Sequence, residues 1–132
     1  MICRFLGRER GSGTIVALGL IAALMTLLAL VVILGAASAA KTQAGRASDL
    51  AALAAADTAR GLNSGDPCTV AEQVAQRNGS MLAECTVGGE FPTEVTVTVA
   101  REVESALLPD ALPLGPLTAT VSSRAGPPEA SL

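Results

Sequence analysis

Cysteines are the residues of this chain best suited to covalent chemistry, and the sequence of 132 residues holds three. Cys68 and Cys85 lie in the second half of the chain, whereas Cys3 stands alone near the N-terminus. Two cysteines do not make a zinc site, because structural zinc takes four ligands. A disulfide between Cys68 and Cys85 would instead close a loop of about 17 residues and stabilise a fold by about 3 kcal/mol in the chain-entropy model. The alternative is a pair of unlinked buried thiols.

Other residue types that carry catalysis are scarce. The chain has no histidine, tryptophan or tyrosine and a single lysine, so a Ser–His nucleophile pair is impossible. Gly11-Ser12-Gly13 lacks the context of a phosphate-binding loop. Glu102 and Glu104 share one face of a predicted strand, but no base, cofactor loop or apolar pocket accompanies them, which indicates a solvated edge. We therefore expect no enzyme activity, metal, cofactor or small-molecule substrate.

The strongest feature of the sequence is a segment of thirty residues without a charge, Gly11 to Ala40. A helix that crosses a bilayer needs about 20 mainly apolar residues. Between Ile15 and Leu34 the segment holds thirteen Leu, Ile or Val residues, which favour insertion by about −4 to −8 kcal/mol. The segment therefore predicts a transmembrane helix.

The charges on either side of this segment predict its orientation. Residues 1–10 carry three arginines and one glutamate, whereas residues 41–132 carry six basic and eleven acidic side chains. The positive-inside rule places residues 1–10 in the cytoplasm and residues 41–132 outside, as in a single-pass protein of the cell membrane. The acidic outer part argues against binding nucleic acid. An oxidising outer location favours a Cys68–Cys85 disulfide, while Cys3 would stay reduced.

A cleaved signal peptide is the alternative to a retained anchor. Ala37-Ser38-Ala39 has the small-x-small form of a signal-peptidase site, after a basic start and an apolar segment. However, the apolar region of a signal peptide is typically about 7–15 residues long, and the uncharged segment is about twice that. The sequence after Lys41 also continues in helical character without a proline as far as Gly61. We favour the anchor and keep release near Ala39, as a secreted small binding protein, as the alternative.

The helix is expected to continue outside the membrane. No strong helix breaker occurs from Thr14 to Arg60, and Gly61 is placed to end the helix. Small residues that would let another helix approach closely line one face of the outer part: Ala44, Ala47, Ala51, Ala54 and Ala55. The alternative is a good helix-former with a solvated stripe. We predict a helix-packing face whose partner is a second copy or another protein.

The remaining residues predict a small head. Thr69 and Glu72 fit a capping box at the start of a short helix, and Asn78-Gly79 would end it. Three segments alternate between apolar and polar residues, as antiparallel strands do: 81–87, 94–103 and 117–122. In the first of them the odd positions 81–87, which include Cys85, are apolar or small and are expected to share one side.

Together these features predict an α+β, membrane-anchored architecture. One long N-terminal transmembrane helix continues outside the membrane and is followed by a small head with a short helix and about three antiparallel strands. Its parts are a cytoplasmic basic leader (1–10), a transmembrane helix (11–40), an extracytoplasmic helix extension (41–61), the head (62–125) and a loose tail (126–132). A head of about 65 residues buries only a marginal core, so a staple such as Cys68–Cys85 is expected.

Two segments of the sequence resemble a known family. Arg10-Gly11-Ser12 directly precedes the apolar helix, and residues 43–56 read QAGRASDLAALAAA. Both are similar to the TadE/TadG-like pilus-assembly proteins, in particular to short actinobacterial TadE-like proteins encoded near a helicase and a tight-adherence secretion cluster. The resemblance covers about residues 8–60. It implies a pseudopilin-like minor subunit or assembly factor of a Flp-type pilus or a related secretion apparatus, with pilus or secretion-assembly proteins, or itself, as helix-packing partners.

The resemblance also implies a processing site. In pilin-like members of that family, a prepilin peptidase cuts after a glycine and leaves a glutamate five residues into the mature helix. Gly11 is the first candidate for the matching glycine and Gly13 the second. Cleavage after Gly11 makes Gly11 and Ser12 the candidate processing site, but the fifth position is then Val16. An intramembrane glutamate would serve as a docking group. Without it, the chain is expected to remain uncut or to act as an accessory rather than a polymerising subunit.

Overall fold

The computed structural model describes residues 11–104 and 116–127, so the predicted leader with Cys3, and most of the predicted tail, lie outside the described residues. Five elements follow in chain order: α1 (Ser12–Ala59), α2 (Pro67–Arg77), β1 (Met81–Val87), β2 (Val95–Glu102) and β3 (Thr118–Ala125). The strands form one antiparallel sheet in the order β1-β2-β3. The predicted architecture of one long helix, a short helix and three antiparallel strands is confirmed.

Helix α1 is continuous over 48 residues and changes character along its length. Leu, Ile and Val dominate its first half and alanine its second half, and no proline interrupts either half. By length and composition the helix is apolar enough to cross a membrane, and none of its most apolar window is buried. The helix ends where the sequence predicts, because Gly61 adopts a φ of +80°, which glycine tolerates without strain.

The second half of α1 forms one layer of the core, and the sheet forms the other. Nine residues of α1 are buried, and all of the buried alanines except Ala40 lie in one cluster with three valines of the central strand, Val95, Val97 and Val99, all 0% exposed. The alanines have little volume, so the helix axis can approach the sheet closely. The core therefore joins large side chains from β2 to small ones from α1, and α2 covers the β1 side of the sheet.

Helix α2 begins earlier than the capping-box pattern predicts. Asp66 is the N-cap residue, and its carboxylate accepts a hydrogen bond from the backbone N–H of Thr69 at 2.9 Å. Pro67 takes the first helical position, where its missing N–H costs nothing. The assignment of Thr69 as N-cap residue is therefore wrong. The predicted end is confirmed, since Asn78 is the C-cap residue and Gly79 has a φ of +68°.

Strand β1 departs from simple alternation because it contains a β-bulge. Leu82 pairs with Val99 and Glu84 pairs with Thr98, which leaves Ala83 as the extra residue. The bulge shifts the phase, so that Leu82 and Cys85 both pack against the core while Ala83 is exposed. The expectation that all odd positions of 81–87 share one side is therefore wrong for Met81 and Ala83, which are exposed, and correct for Cys85.

Candidate functional site

The first half of α1 is an exposed apolar surface that no other element of the described part of the chain covers. Its side chains carry no charge between Ser12 and Ala40. Large apolar residues on every side of the helix are between 46% and 74% exposed: Ile15, Val16, Leu18, Leu20, Ile21, Leu24, Met25, Leu27, Leu28, Leu30, Val31, Val32 and Leu34. A helix that is apolar all round matches a hydrocarbon environment or a bundle of helices rather than water.

The predicted helix-packing face is occupied by the chain's own head. Ala44, Ala47 and Ala51 are 0% exposed and belong to the core cluster with the β2 valines, and Ala54 is half-buried at the border of this face. The expectation that another helix approaches here needs correction, because the sheet and α2 already fill that space. The sequence pattern identified a close-packing face, but helical spacing alone does not say whether a helix or a sheet lies on it.

A cluster of polar side chains ties α1 to strand β3 within this interface. The Ser48 hydroxyl is 0% exposed and lies 2.6 Å from the Ser123 hydroxyl and 2.9 Å from the Gly45 carbonyl oxygen. Ser123 also donates to the carboxylate of Asp49. The cluster satisfies hydroxyls that would otherwise be buried without partners. Ser48 is fully buried, so no substrate can reach its hydroxyl.

A second polar cluster closes the hairpin between β1 and β2. The Glu94 side chain is 4% exposed, and its Oε1 forms an ion pair with Arg124 Nε at 3.0 Å. Glu90 lies at the weaker distance of 3.9 Å from the same guanidinium. Gly89 makes room for this arrangement, because a Cβ at that position would lie 2.5 Å from Glu94 Oε1. The pair fixes the end of β3 to the hairpin.

The cysteines predicted to pair are joined in the structure. Cys68, in the first turn of α2, and Cys85, on β1, form a disulfide with a Cα–Cα distance of 5.8 Å. The bond crosslinks α2 to the sheet edge that it covers. Within residues 11–104 and 116–127, no three His, Cys, Asp or Glu side chains are placed to hold a metal ion.

The candidate processing site lies at the first turn of α1. Gly11 is the N-cap residue, and its carbonyl oxygen accepts a hydrogen bond from the Thr14 hydroxyl at 3.1 Å. The Gly11–Ser12 peptide bond is therefore at the boundary between the helix and the preceding residues. Val16, at the fifth position after it, is 69% exposed and offers no charge for docking.

Sequence reasoning missed the residues that hold the head on α1 and close the hairpin: Ser48, Ser123, Glu94, Arg124 and Arg101. Arg101 donates through Nη1 to the carbonyl oxygens of Asn78 and Gly79, both at 3.0 Å, and so caps α2. One signal was available for Arg101, because a cation near a helix C-terminus is a common pairing. The Ser48–Ser123 contact joins positions 75 residues apart, and no local pattern predicts it.

The fold and these contacts define a class: a small α+β protein built on one long helix. The second half of that helix packs in the core, whereas its first half is apolar and exposed. The family model described as "Putative Flp pilus-assembly TadE/G-like" matches residues 11–58. The match spans nearly all of α1 and none of α2 or the sheet. No curated protein and no solved structure matches the chain. Residues 11–58 are thus similar to TadE/G-like Flp pilus-assembly proteins, whereas the actinobacterial and helicase-neighbourhood details have no support in this match.

Proposed function

We propose that this chain is a pseudopilin-like minor subunit or assembly factor of a Flp-type pilus or a related secretion apparatus, anchored in the membrane by α1. One observation carries the proposal: the segment matched by the family model coincides with a helix whose first half is bare and apolar. Such a helix is suited to inserting beside other helices in lipid, where packing rather than chemistry drives association.

The proposed topology is a single pass with residues 1–10 in the cytoplasm and the head outside. The arginines before the apolar segment and the acidic excess after it support this orientation. The disulfide supports it as well, because such bonds persist in oxidising compartments.

The surface available for assembly partners is the first half of α1. Ala44, Ala47 and Ala51 are covered by the head and can receive a partner helix only if the head leaves. Partners such as pilus-assembly proteins or a second copy would therefore pack in the membrane against residues such as Leu20 and Leu28, which are 62% and 59% exposed.

Release as a secreted binding protein is the competing proposal. It requires cleavage near Ala39, which lies inside the continuous helix α1, one residue before the buried Ala40. A peptidase would have to unwind the helix where the head begins to pack on it. The structure thus offers this proposal no support beyond the small-x-small sequence.

The experiment is site-specific photo-crosslinking in cells, with the crosslinking amino acid at Leu28 and, as the matched control, at the exposed Leu53 of the second half of α1. We expect adducts with another membrane-embedded assembly component from Leu28 and none from Leu53. Replacing both Leu24 and Leu27 by Arg should remove the adduct and release the chain from the membrane fraction, because central arginines strongly disfavour insertion.

Intact mass of the same preparations distinguishes the proposals. A full-length chain or one that begins at Ser12 fits an anchored subunit. Recovery of the wild-type chain mainly from the culture fluid, beginning at Ala40 or Lys41, would establish the secreted alternative. Adducts from Leu53 but none from Leu28 would mean that the partner contacts the second half of α1 and not its apolar half.

A further inference from the structure

We propose that Asn78–Gly79 is a covalent modification site, at which the side-chain amide of Asn78 is lost by deamidation when the C-terminal cap of α2 opens, and that Arg101 controls this opening. An asparagine followed by glycine is especially prone to deamidation, because glycine has no side chain to hinder attack by its own backbone nitrogen. Asn78 and Gly79 are both exposed and lie at the end of α2.

The reaction needs only water and is balanced by the loss of ammonia. The Gly79 backbone nitrogen gives up its proton to solvent and attacks Asn78 Cγ. A new C–N bond forms, and Nδ2 takes up a proton and leaves as ammonia. Water then opens the resulting succinimide ring. Attack of water at Cγ yields aspartate, whereas attack at the main-chain carbonyl carbon yields isoaspartate, in which the backbone runs through Cβ and Cγ.

The folded conformation holds the reacting atoms apart. Ring closure requires the Gly79 nitrogen to lie close to Asn78 Cβ in projection along the Cα–C bond. The ψ of Asn78 is 17°, which instead brings that nitrogen close to the backbone nitrogen of Asn78 itself. Cβ and the backbone nitrogen are about 120° apart around a tetrahedral Cα, so a rotation of more than about 90° must come before attack.

Hydrogen bonds occupy both the nucleophile and the leaving group. The Gly79 N–H donates to the Gln76 carbonyl oxygen at 3.0 Å. Asn78 Nδ2 donates to the Val74 carbonyl oxygen at 2.8 Å. Rotation about the Asn78 Cα–C bond carries the Gly79 N–H away from Gln76, so deamidation requires the end of α2 to open.

Arg101 holds this end of α2 closed from the sheet. Its Nη1 donates to the carbonyl oxygens of Asn78 and Gly79, both at 3.0 Å. Because the required rotation turns the Asn78 carbonyl, the two bonds cannot both persist through it. Arg101 is therefore a positioning residue, which takes no part in bond making and acts on the rate through the population of the open cap.

Deamidation weakens the cap in which it occurs. A carboxylate at position 78 replaces the donor Nδ2 by an acceptor opposite the Val74 carbonyl oxygen. It also places a negative charge at the C-terminal end of α2, where the helix dipole disfavours it. Isoaspartate adds a backbone atom just before Ser80, whose N–H donates to the Ala75 carbonyl oxygen at 3.0 Å. A single opening can therefore leave a permanent change at the junction of α2 and β1.

The experiment incubates the full chain in detergent at neutral pH and follows deamidation at Asn78 by peptide mass spectrometry, with chromatographic separation of aspartate from isoaspartate. We expect the folded wild type to react at least about tenfold more slowly than the same chain unfolded in guanidinium chloride, because only the open fraction reacts. Asn63, which is exposed between α1 and α2, is the internal control for the intrinsic chemistry.

Arg101→Met removes the guanidinium and should speed deamidation at Asn78 at least about fivefold, with no change at Asn63. Arg101→Lys keeps a cationic donor and should restore most of the protection. Arg77→Met, the matched control, removes the other arginine near the end of α2 and should change the rate by less than about threefold. Asn78→Asp, which mimics one product, should quicken amide exchange at Gly79 about two- to fivefold.

Three results would overturn the proposal: equal deamidation in the folded and unfolded chains, an unchanged rate in Arg101→Met, or equal rates in Arg101→Met and Arg101→Lys. If Arg101→Met unfolds the head, which rapid amide exchange at Val97 would reveal, the wild type provides the test. In guanidinium chloride below the unfolding transition, exchange at Gly79 and deamidation at Asn78 should rise in parallel. A deamidation rate that does not follow this exchange would contradict control by the cap.

Discussion

Side-chain contacts hold β3 in place, and among them we expect the Glu94–Arg124 ion pair to contribute most to stability. Glu94 is almost fully buried and one of its oxygens, Oε2, has no hydrogen-bond partner among the described residues. A buried carboxylate depends on its remaining partner, because desolvation is not otherwise compensated. Arg124 is 56% exposed, so solvent moderates the effect of the pair without removing it.

We predict that Arg124→Met lowers the free energy of unfolding by about 1–3 kcal/mol, the range for leaving a buried acceptor unsatisfied. Urea unfolding of the full chain in detergent, followed by circular dichroism, measures the change. Arg77→Met is the matched control: Arg77 lies on the exposed side of α2, and its replacement should change stability by less than about 0.5 kcal/mol. If the two substitutions lower the free energy of unfolding equally, the Glu94–Arg124 pair does not stabilise the chain as proposed.

At this scale the sequence predicted covalent features better than polar ones. Cys68 and Cys85 could be matched because oxidation, loop length and a small core all favour a bond between them. Ser48, Asp49 and Ser123 could not be matched, because their contact depends on which face of α1 meets the sheet. The Asp66 cap was within reach of sequence reasoning, but the Thr69–Glu72 pattern competed with it, and Pro67 at the first helical position decided in favour of Asp66.

Helix α1 and strand β2 pack with small residues on the helix against larger residues on the strand. The alanines of α1 lie against Val95, Val97 and Val99, and both sides are fully buried. Interiors of this density respond to added volume with strain. The same alanines would tolerate added volume if they faced only solvent.

We predict that Ala51→Leu destabilises the chain by about 1–3 kcal/mol through overpacking. Leu53→Ala, two residues away and 55% exposed, should have an effect below about 1 kcal/mol. Both are measured by thermal or urea unfolding of the purified chain in detergent, where no partner protein is present. A harmless Ala51→Leu would mean that the alanine face is free in the isolated chain and is reserved for a partner helix.

Most boundaries of the elements followed from local rules, but the pairing of their faces did not. Uninterrupted apolar and alanine-rich composition predicted α1, and Asn78-Gly79 predicted the end of α2, whereas α2 begins earlier and β3 ends later than predicted. The bulge at Ala83 has no signal in the sequence, because a two-residue period continues through it. The alanine face was assigned to a helix of another protein or a second copy, whereas the sheet and α2 of the same chain lie on it, because alanine spacing does not identify the occupant.

At the scale of the whole molecule, the head is small and depends on its crosslink. Its core outside α1 consists of three β2 valines, two alanines of α2 and a few half-buried neighbours. A domain of this size has a marginal stability of several kcal/mol. The disulfide therefore accounts for a large share of it.

We predict that the double variant Cys68→Ser, Cys85→Ser loses about 3 kcal/mol, which the chain-entropy model assigns to a loop of about 17 residues. The measurement is the midpoint of urea unfolding relative to wild type, with dithiothreitol-treated wild type as the control expected to match the variant. Peptide mapping without reduction should recover the linked Cys68 and Cys85 peptides. Alkylation of both thiols without prior reduction would contradict the pairing.

One consequence of the unbroken helix α1 is mechanical. Helix α1 has no hinge between its apolar half and the head, because it is continuous through Ala40, the first of its buried residues. From Met25, in the apolar half, to Ala59 the helix measures about 50 Å. In the proposed anchored state, a change in tilt of roughly 10° would swing the far end by about 9 Å. Neighbours that tilt α1 would then displace the head, and a force on the head would act on the bilayer as a torque.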